Sequence, residues 1–173
     1  GLRSLHRHPR STLTLETRTE PPAAPLSHYH QLIEHLGISR GVVIQPMAHG
    51  HNNSVTLDAI ARSNGHLMGV AKVDDSFSDR DLETLHAGGI RGVRFNMIAE
   101  SGGTGNLDLI ETVAGRVRDL GWSLTIHTKP DGLLENADWL ARMRLPTIID
   151  HYARVVFEDG VNQPAFQRLV DLL

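Results

Sequence analysis

Short apolar runs alternate with longer amphipathic stretches along most of the chain. The run 41–44 has no polar side chain, which is typical of a strand buried on both faces of a parallel sheet. Between Asn106 and Gly121, apolar residues recur every three or four positions, which predicts a helix that Asn106 caps and Gly121 ends. Ser27 and Ser78 are predicted to begin two further helices, the second with a capping box.

Five apolar runs are predicted as strands, with a predicted helix between each consecutive pair. They are residues 41–46, 67–73, 90–96, 122–127 and 146–150. Alternation of this kind is typical of right-handed βαβ units and therefore of the α/β class. We expect the five runs to be parallel neighbours in one sheet, in chain order.

Two α/β architectures fit this pattern, an open doubly wound sheet and a (β/α)8 barrel of the TIM type. A complete barrel takes about 250 residues, and this chain has 173. The preferred interpretation is an incomplete barrel of five or six β/α units that lacks its closing strands. Residues 1–26, rich in Arg, Ser, Thr and Pro, are predicted as an irregular segment, and 27–173 as the partial barrel.

Composition and charge argue against some classes of partner but do not identify a function. The formal charge of -3 gives no reason to expect nucleic acid or an anionic membrane as partner. No apolar run approaches the ~20 residues of a membrane span. The chain has no cysteine, which agrees with an expected cytoplasmic location. The unusual number is eleven histidines, since histidine is the acid and base of neutral pH and a common metal ligand.

Polar side chains follow every predicted strand, at the end where the active sites of both architectures lie. Arg94 lies within an apolar strand and needs an anionic partner. His127 ends the next strand, and Asp150 and His151 end the one after it. We expect Arg94, His127 and His151 to meet at one cavity. Other histidines, in predicted helices or at helix ends, are expected to lie elsewhere: His35, His66 and His86.

Four segments together resemble the amidohydrolase superfamily, and within it the amidohydrolase-related group of 2-pyrone-4,6-dicarboxylate lactonase. They are Gln45-Pro46 with His49-Gly50 and Asn53, the run Gly89-Ile90-Arg91-Gly92-Val93-Arg94-Phe95-Asn96, Leu120-Gly121-Trp122 leading to His127, and Ile149-Asp150-His151. The resemblance covers roughly residues 18–173 and implies a distorted (β/α)8 barrel that hydrolyses a lactone.

The resemblance also implies roles for particular residues. His151 would lie by the scissile carbonyl, His127 would share the catalytic site, and Asp150 would act there or orient a neighbour. Arg94 would bind a substrate carboxylate. The remaining expected substrate contacts are Asn96, His49, Arg154 and Arg91.

The chain also departs from the group's pattern. The group's first strand ends His-x-His, for which His6-Arg7-His8 is the candidate here. The lactonase has a second basic cluster where this chain has Ala99-Glu100, and an acidic residue there argues against a dicarboxylate substrate. The group's water-activating aspartate, on the eighth strand, is expected beyond Leu173.

Three functional hypotheses follow. The first is a metal-independent hydrolase without cofactor that opens the lactone ring of a small carboxylated compound from aromatic catabolism. The second is a decarboxylase of the same barrel type that uses one divalent ion such as zinc, with His127 as a ligand. The third is a truncated, non-catalytic homologue that binds a small anion or a partner chain. Self-association through the open barrel edge is expected as well.

Overall fold

The computed structural model describes residues 25–99, 103 and 105–173. Most of the irregular segment predicted at 1–26 lies outside the described residues, as do His6, His8 and Glu100. No helix in the described ranges has both the length and the apolar character to cross a membrane.

Helices and strands alternate, as predicted. The helices are α1 (Leu26–His35), α2 (Ser54–Ala61), α3 (Asp79–Ala87), α4 (Leu107–Arg118), α5 (Pro130–Ala141) and α6 (Pro164–Asp171). The strands are β1 (Gly41–Ile44), β2 (Leu67–Ala71), β3 (Ile90–Asn96), β4 (Ser123–His127) and β5 (Thr147–Ile149). Short 3-10 turns follow β1 at Met47–His49 and β5 at Asp150–Arg154 and Phe157–Asp159.

The five strands form one parallel sheet in the order β1-β2-β3-β4-β5. This confirms the predicted order and direction. The sheet curls into half of a barrel with the helices on its outer side, so the prediction of an incomplete (β/α)8 barrel is confirmed.

The predicted helix starts are confirmed in two cases and wrong in one. The Ser78 hydroxyl accepts a hydrogen bond from the Asp81 N–H, and the Asp81 carboxylate accepts one from the Ser78 N–H, which completes the capping box. Asn106 caps α4 by accepting from the Leu109 N–H. Ser27 does not cap α1, because that helix already begins at Leu26, after the extended backbone of Pro25.

The hydrophobic core lies between the sheet and the outer helices. Val93, Leu124 and Ile126 project from the strands and are fully buried, together with Ile110 of α4 and Leu133 of α5. Because strand side chains alternate between two faces, every second strand residue contributes to this core.

The opposite face of the sheet, which would be the interior of a closed barrel, is open. Val42 is 61 % exposed, Ile44 44 %, Met68 50 % and Ile148 50 %. The prediction that β1 is buried on both faces is therefore wrong for its inner face. Five strands cover their outer face with helices but leave no opposing strands to cover the inner one.

We expect the 173-residue chain to self-associate through this inner face, because contiguous exposed apolar surface favours association. Replacing Val42 and Met68 together with serine should shift the chain towards monomer in size-exclusion chromatography with light scattering. The control is Val170→Ser, which changes an exposed valine on α6. A monomeric unaltered chain at micromolar concentration would contradict the expectation.

Candidate active site

The strand register brings the polar strand-end residues to one face. Arg94 pairs with Thr125, and Asn96 pairs with His127. Thr125 also pairs with Ile148, one of the exposed residues of the inner face. Since neighbouring residues in register point to the same side, Arg94, Asn96 and His127 all belong to that inner face. Apolar residues therefore line its floor and polar residues its carboxyl end.

Arg94 is held by Asp150. Its Nε donates to Asp150 Oδ2 at 2.7 Å, and both side chains are about 15 % exposed. Within the described residues the Arg94 Nη groups form no hydrogen bond. The anionic partner that an arginine in an apolar strand requires is thus Asp150, and the rest of the guanidinium remains available to an anion.

His127 and His151 form the second part of the cluster. Their ring centroids are 5.4 Å apart at an interplanar angle of 75°. His127 is buried, and its Nε2 has no hydrogen-bond partner. Burial lowers the pKa of His127, and the positive charges of Arg94 and Arg154 lower it further. His127 is therefore neutral at pH 7, a form that can both donate and accept a hydrogen bond.

The backbone that carries His151 is left-handed over four residues. The φ angles are +52° at His151, +51° at Tyr152, +53° at Ala153 and +56° at Arg154. Such a conformation costs about 1–2 kcal/mol per residue for side chains with a Cβ atom. Ala153 anchors the turn because it is completely buried against the core, whereas His151 and Arg154 are exposed. Strain of this kind accumulates at functional sites.

A cavity of about 290 Å³ opens beside this cluster, over the carboxyl ends of β1, β2 and β3. Arg94 and Asn96 line one side of it, and Lys72, His51 and Asp74 line another. A second, mostly apolar groove lies beside α1. The cavity at the strand ends has the titratable groups that a site of this fold requires.

His51 and Asp74 are in contact within the cavity wall, with Nδ1 and Oδ2 3.2 Å apart. Partial burial lowers the pKa of His51, although the negative charge of Asp74 opposes this effect. The Ser76 hydroxyl donates to Asp74 Oδ1 and lowers the pKa of that carboxyl. Asp74 is therefore ionised at neutral pH and orients the His51 ring.

The motif around Gln45 and Asn53 braces the loop that carries His51. Gln45 Nε2 donates to the carbonyl of Asn52 at 2.8 Å, and the Thr56 hydroxyl donates to Gln45 Oε1 at 2.6 Å. Asn53 binds both the N–H and the carbonyl of Lys72. Both Gln45 and Asn53 are buried. These residues of the resembling segments thus fix the loop to β2.

Three of the expected substrate contacts are placed differently. Arg91 Nη1 donates to the carbonyls of His86 and Ile90 near the start of β3, away from the cavity. Residues 91 and 94 differ by three positions and so point to opposite faces. His49 lies in the 3-10 turn after β1 and is not on the cavity wall. Arg154 is exposed, but its charge acts on His127.

The histidines expected to lie elsewhere do so. His66 Nδ1 contacts the Ser39 carbonyl at 2.8 Å, and His86 Nδ1 accepts from Trp122 Nε1 at 2.9 Å. His35 is in the last turn of α1. None of the three belongs to the cluster around Arg94.

The sequence prediction missed Lys72, His51 and Asp74 as parts of the cavity wall. Their signal was present at the end of β2, where Met68, Val70 and Lys72 follow a two-residue alternation onto the inner face. Over residues 25–99, 103 and 105–173, no three His, Asp or Glu side chains are grouped to hold a metal ion. These residues do not fit a metal site by themselves.

A substitution of Tyr152 tests the left-handed turn. Tyr152 is 75 % exposed, so its side chain contributes little packing. Asparagine tolerates positive φ, and Tyr152→Asn should raise the free energy of unfolding by about 0.5–1 kcal/mol. Tyr152→Val should lower it by about 1 kcal/mol or more, since β-branched residues resist this conformation. Urea unfolding measures both, and a valine variant as stable as the asparagine variant would refute the left-handed turn.

The lowered pKa of His127 predicts a pH dependence of stability. Unfolded histidine takes up a proton near pH 6.5, whereas folded His127 does so only at lower pH. Stability should therefore fall as pH drops from about 7.5 to 5.5, because the unfolded state binds more protons there. His127→Gln should flatten this dependence in urea midpoints, while replacing the exposed His35 by glutamine should leave it intact. An unchanged slope in His127→Gln would contradict the assignment.

Comparison with known proteins agrees with this geometry. The amidohydrolase family model matches residues 5–173. The chain is 42 % identical over 153 residues to a 4-sulfomuconolactone hydrolase of Rhizobium radiobacter, covering 88 % of this chain and 51 % of that protein. It is 34 % identical over 151 residues to a 2-pyrone-4,6-dicarboxylate hydrolase of Comamonas testosteroni, covering 87 % and 50 %.

A solved apo structure from Agrobacterium tumefaciens superimposes with a TM-score of 0.82 at 27 % identity, covering 95 % of this chain and 60 % of that one. The chain spans about half the length of the curated relatives that it matches. The family model covers nearly all of the chain, and the parallel half-barrel carries the polar cluster at its carboxyl end. The chain therefore belongs to the amidohydrolase family.

Proposed function

We propose that this chain provides the substrate-binding half of a lactone hydrolase acting on a small carboxylated lactone. The observation that carries the proposal is the Arg94–Asp150 pair beside His127 and His151 at the carboxyl end of the sheet. Two relatives are named 4-sulfomuconolactone hydrolase and 2-pyrone-4,6-dicarboxylate hydrolase, which supports the assignment.

Arg94 binds the substrate carboxylate in this proposal. Asp150 engages Nε, which fixes the plane of the guanidinium and leaves its Nη groups to form two parallel hydrogen bonds. Asp150 thus acts as a positioning residue and does not touch the substrate. Among the roles expected for Asp150, the orientation of a neighbour is the one that the geometry favours.

The two histidines stabilise charge at the carbonyl. When water attacks the acyl carbon, the carbonyl oxygen becomes negative and the ring C–O bond then breaks to leave a carboxylate and a free hydroxyl or enol. An imidazole N–H, from His151 or from the neutral His127, donates to that oxygen in the transition state. The unpartnered Nε2 of His127 gains a hydrogen bond when a group is bound beside it. Activation of the water is left to a carboxylate outside the described residues, as the family resemblance implies.

The proposal includes hydrolysis without a metal and a cytoplasmic location. A metal step has no support in the described part of the chain, where no ligand group is assembled. The absence of cysteine supports a reducing compartment.

Hydrolysis of 4-sulfomuconolactone and of 2-pyrone-4,6-dicarboxylate by a protein that joins this chain to the remaining half of the barrel, followed by loss of lactone absorbance, tests the function. Arg94→Met should lower kcat/KM about 10- to 100-fold, because hydrogen bonds to charged groups contribute about 1.5–3 kcal/mol. Asp150→Asn should have a smaller effect, mainly on KM, because Arg94 is then present but poorly oriented. Arg62→Met, on the exposed side of α2, is the matched control.

Two outcomes of these measurements would contradict parts of the proposal. Equal loss in Arg94→Met and Arg62→Met would contradict the role of Arg94. Binding of both lactones without turnover would favour a non-catalytic, anion-binding homologue over the hydrolase.

A further inference from the structure

Lys72 is next to Arg94 across the sheet. The register pairs Val70 with Gly92 and Ala71 with Val93. Continued by one residue, it sets Lys72 beside Arg94, on adjacent strands about 4.8 Å apart. Both side chains therefore point to the inner face, and both line the same cavity.

The backbone of Lys72 is held in place. The Asn53 side chain donates to the Lys72 carbonyl at 2.9 Å and accepts from the Lys72 N–H at 3.1 Å. These two hydrogen bonds fix the Lys72 backbone, just after β2, beside the cavity. Lys72 is half-buried and lines the cavity.

The charge of Lys72 is not balanced by the surrounding carboxylates. The Asp150 carboxylate is already paired with Arg94. The Asp74 carboxylate accepts a hydrogen bond from Ser76 and contacts His51. Asp75 lines the rim of the cavity but is exposed to solvent. Lys72 forms no ion pair within the part of the chain that the structure describes. A half-buried ammonium without a partner favours an anionic ligand.

The Arg94 guanidinium is directed towards Asp150 and away from the strand that carries Lys72. It extends from β3 towards Asp150 at the end of β5, across β4. Lys72 lies on the other side of β3, on β2. The cavity is therefore lined by one cation from the end of β2 and one from β3.

We propose that Lys72 binds a second anionic group of the substrate, a carboxylate or a sulfonate, while Arg94 binds the first. This inference rests on the proposed lactone hydrolase function and specifies its substrate as a lactone with two anionic groups. The sequence argued against a second carboxylate because Ala99-Glu100 replaces the basic cluster of the group. Lys72 supplies the second cation from the neighbouring strand instead.

Isothermal titration calorimetry with three planar ring compounds tests the inference. Benzoate has one anionic group, terephthalate has two carboxylates, and 4-sulfobenzoate has a carboxylate and a sulfonate. The unaltered chain should bind at least one of the two dianions about tenfold more tightly than benzoate. The dianion with the lower Kd identifies the second group as carboxylate or sulfonate.

Lys72→Met should lower the affinity for the dianions much more than that for benzoate and so abolish this preference. Lys72→Arg, which restores the charge, should retain the preference. Arg94→Met should weaken the binding of all three compounds. Arg118→Met, which removes a half-exposed cation from the outer face of α4, should alter none of the affinities. Thermal melting of each variant shows that it is folded.

The inference is overturned if Lys72→Met keeps the dianion preference, or if the unaltered chain binds the dianions no more tightly than benzoate. These results are separable from those on hydrolysis. Dianion binding that depends on Lys72, together with a completed barrel that opens no lactone, contradicts the proposed function and supports the site. Lactone opening with no effect of Lys72→Met supports the function and overturns the site.

Discussion

Parallel strand pairing with a two-residue alternation of side chains is the constraint on which this molecule depends. It sends Val93, Leu124 and Ile126 outward to the helices, where they form the core. The same alternation sends Arg94 and His127 to the opposite face. One register therefore separates the surface that stabilises the fold from the surface that carries the chemistry. A shift of one residue in any strand would exchange the two.

Two further structural features position the polar groups at the carboxyl ends of the strands. The Arg94–Asp150 pair joins β3 to the residue that follows β5, so a polar contact fixes the geometry across three strands. The left-handed turn then redirects the chain and presents His151 next to His127. The buried Ala153 holds this turn against the core, which is how a costly backbone conformation persists.

Much of this could be predicted from the sequence, because hydrophobic periodicity reports burial directly. The order of the strands, the capping box at Ser78 and the cluster of Arg94 with the histidines all follow from local patterns. What could not be predicted depends on contacts between distant residues. The partner of Arg94 is Asp150, 56 positions further along the chain, and no local pattern identifies it. The exposure of Val42 depends on how many strands cover it, which no local pattern records.

The bracing of the loop after β1 has a consequence for how this site can diversify. Gln45 and Asn53 tie the two ends of the loop to buried positions, and neither bond involves the side chains at the tip. Residues between these ties, His51 among them, can change without altering the strands, while Lys72 keeps its place in the cavity wall. Single substitutions in this loop can therefore change the substrate preference of the half-barrel with little effect on its folding stability.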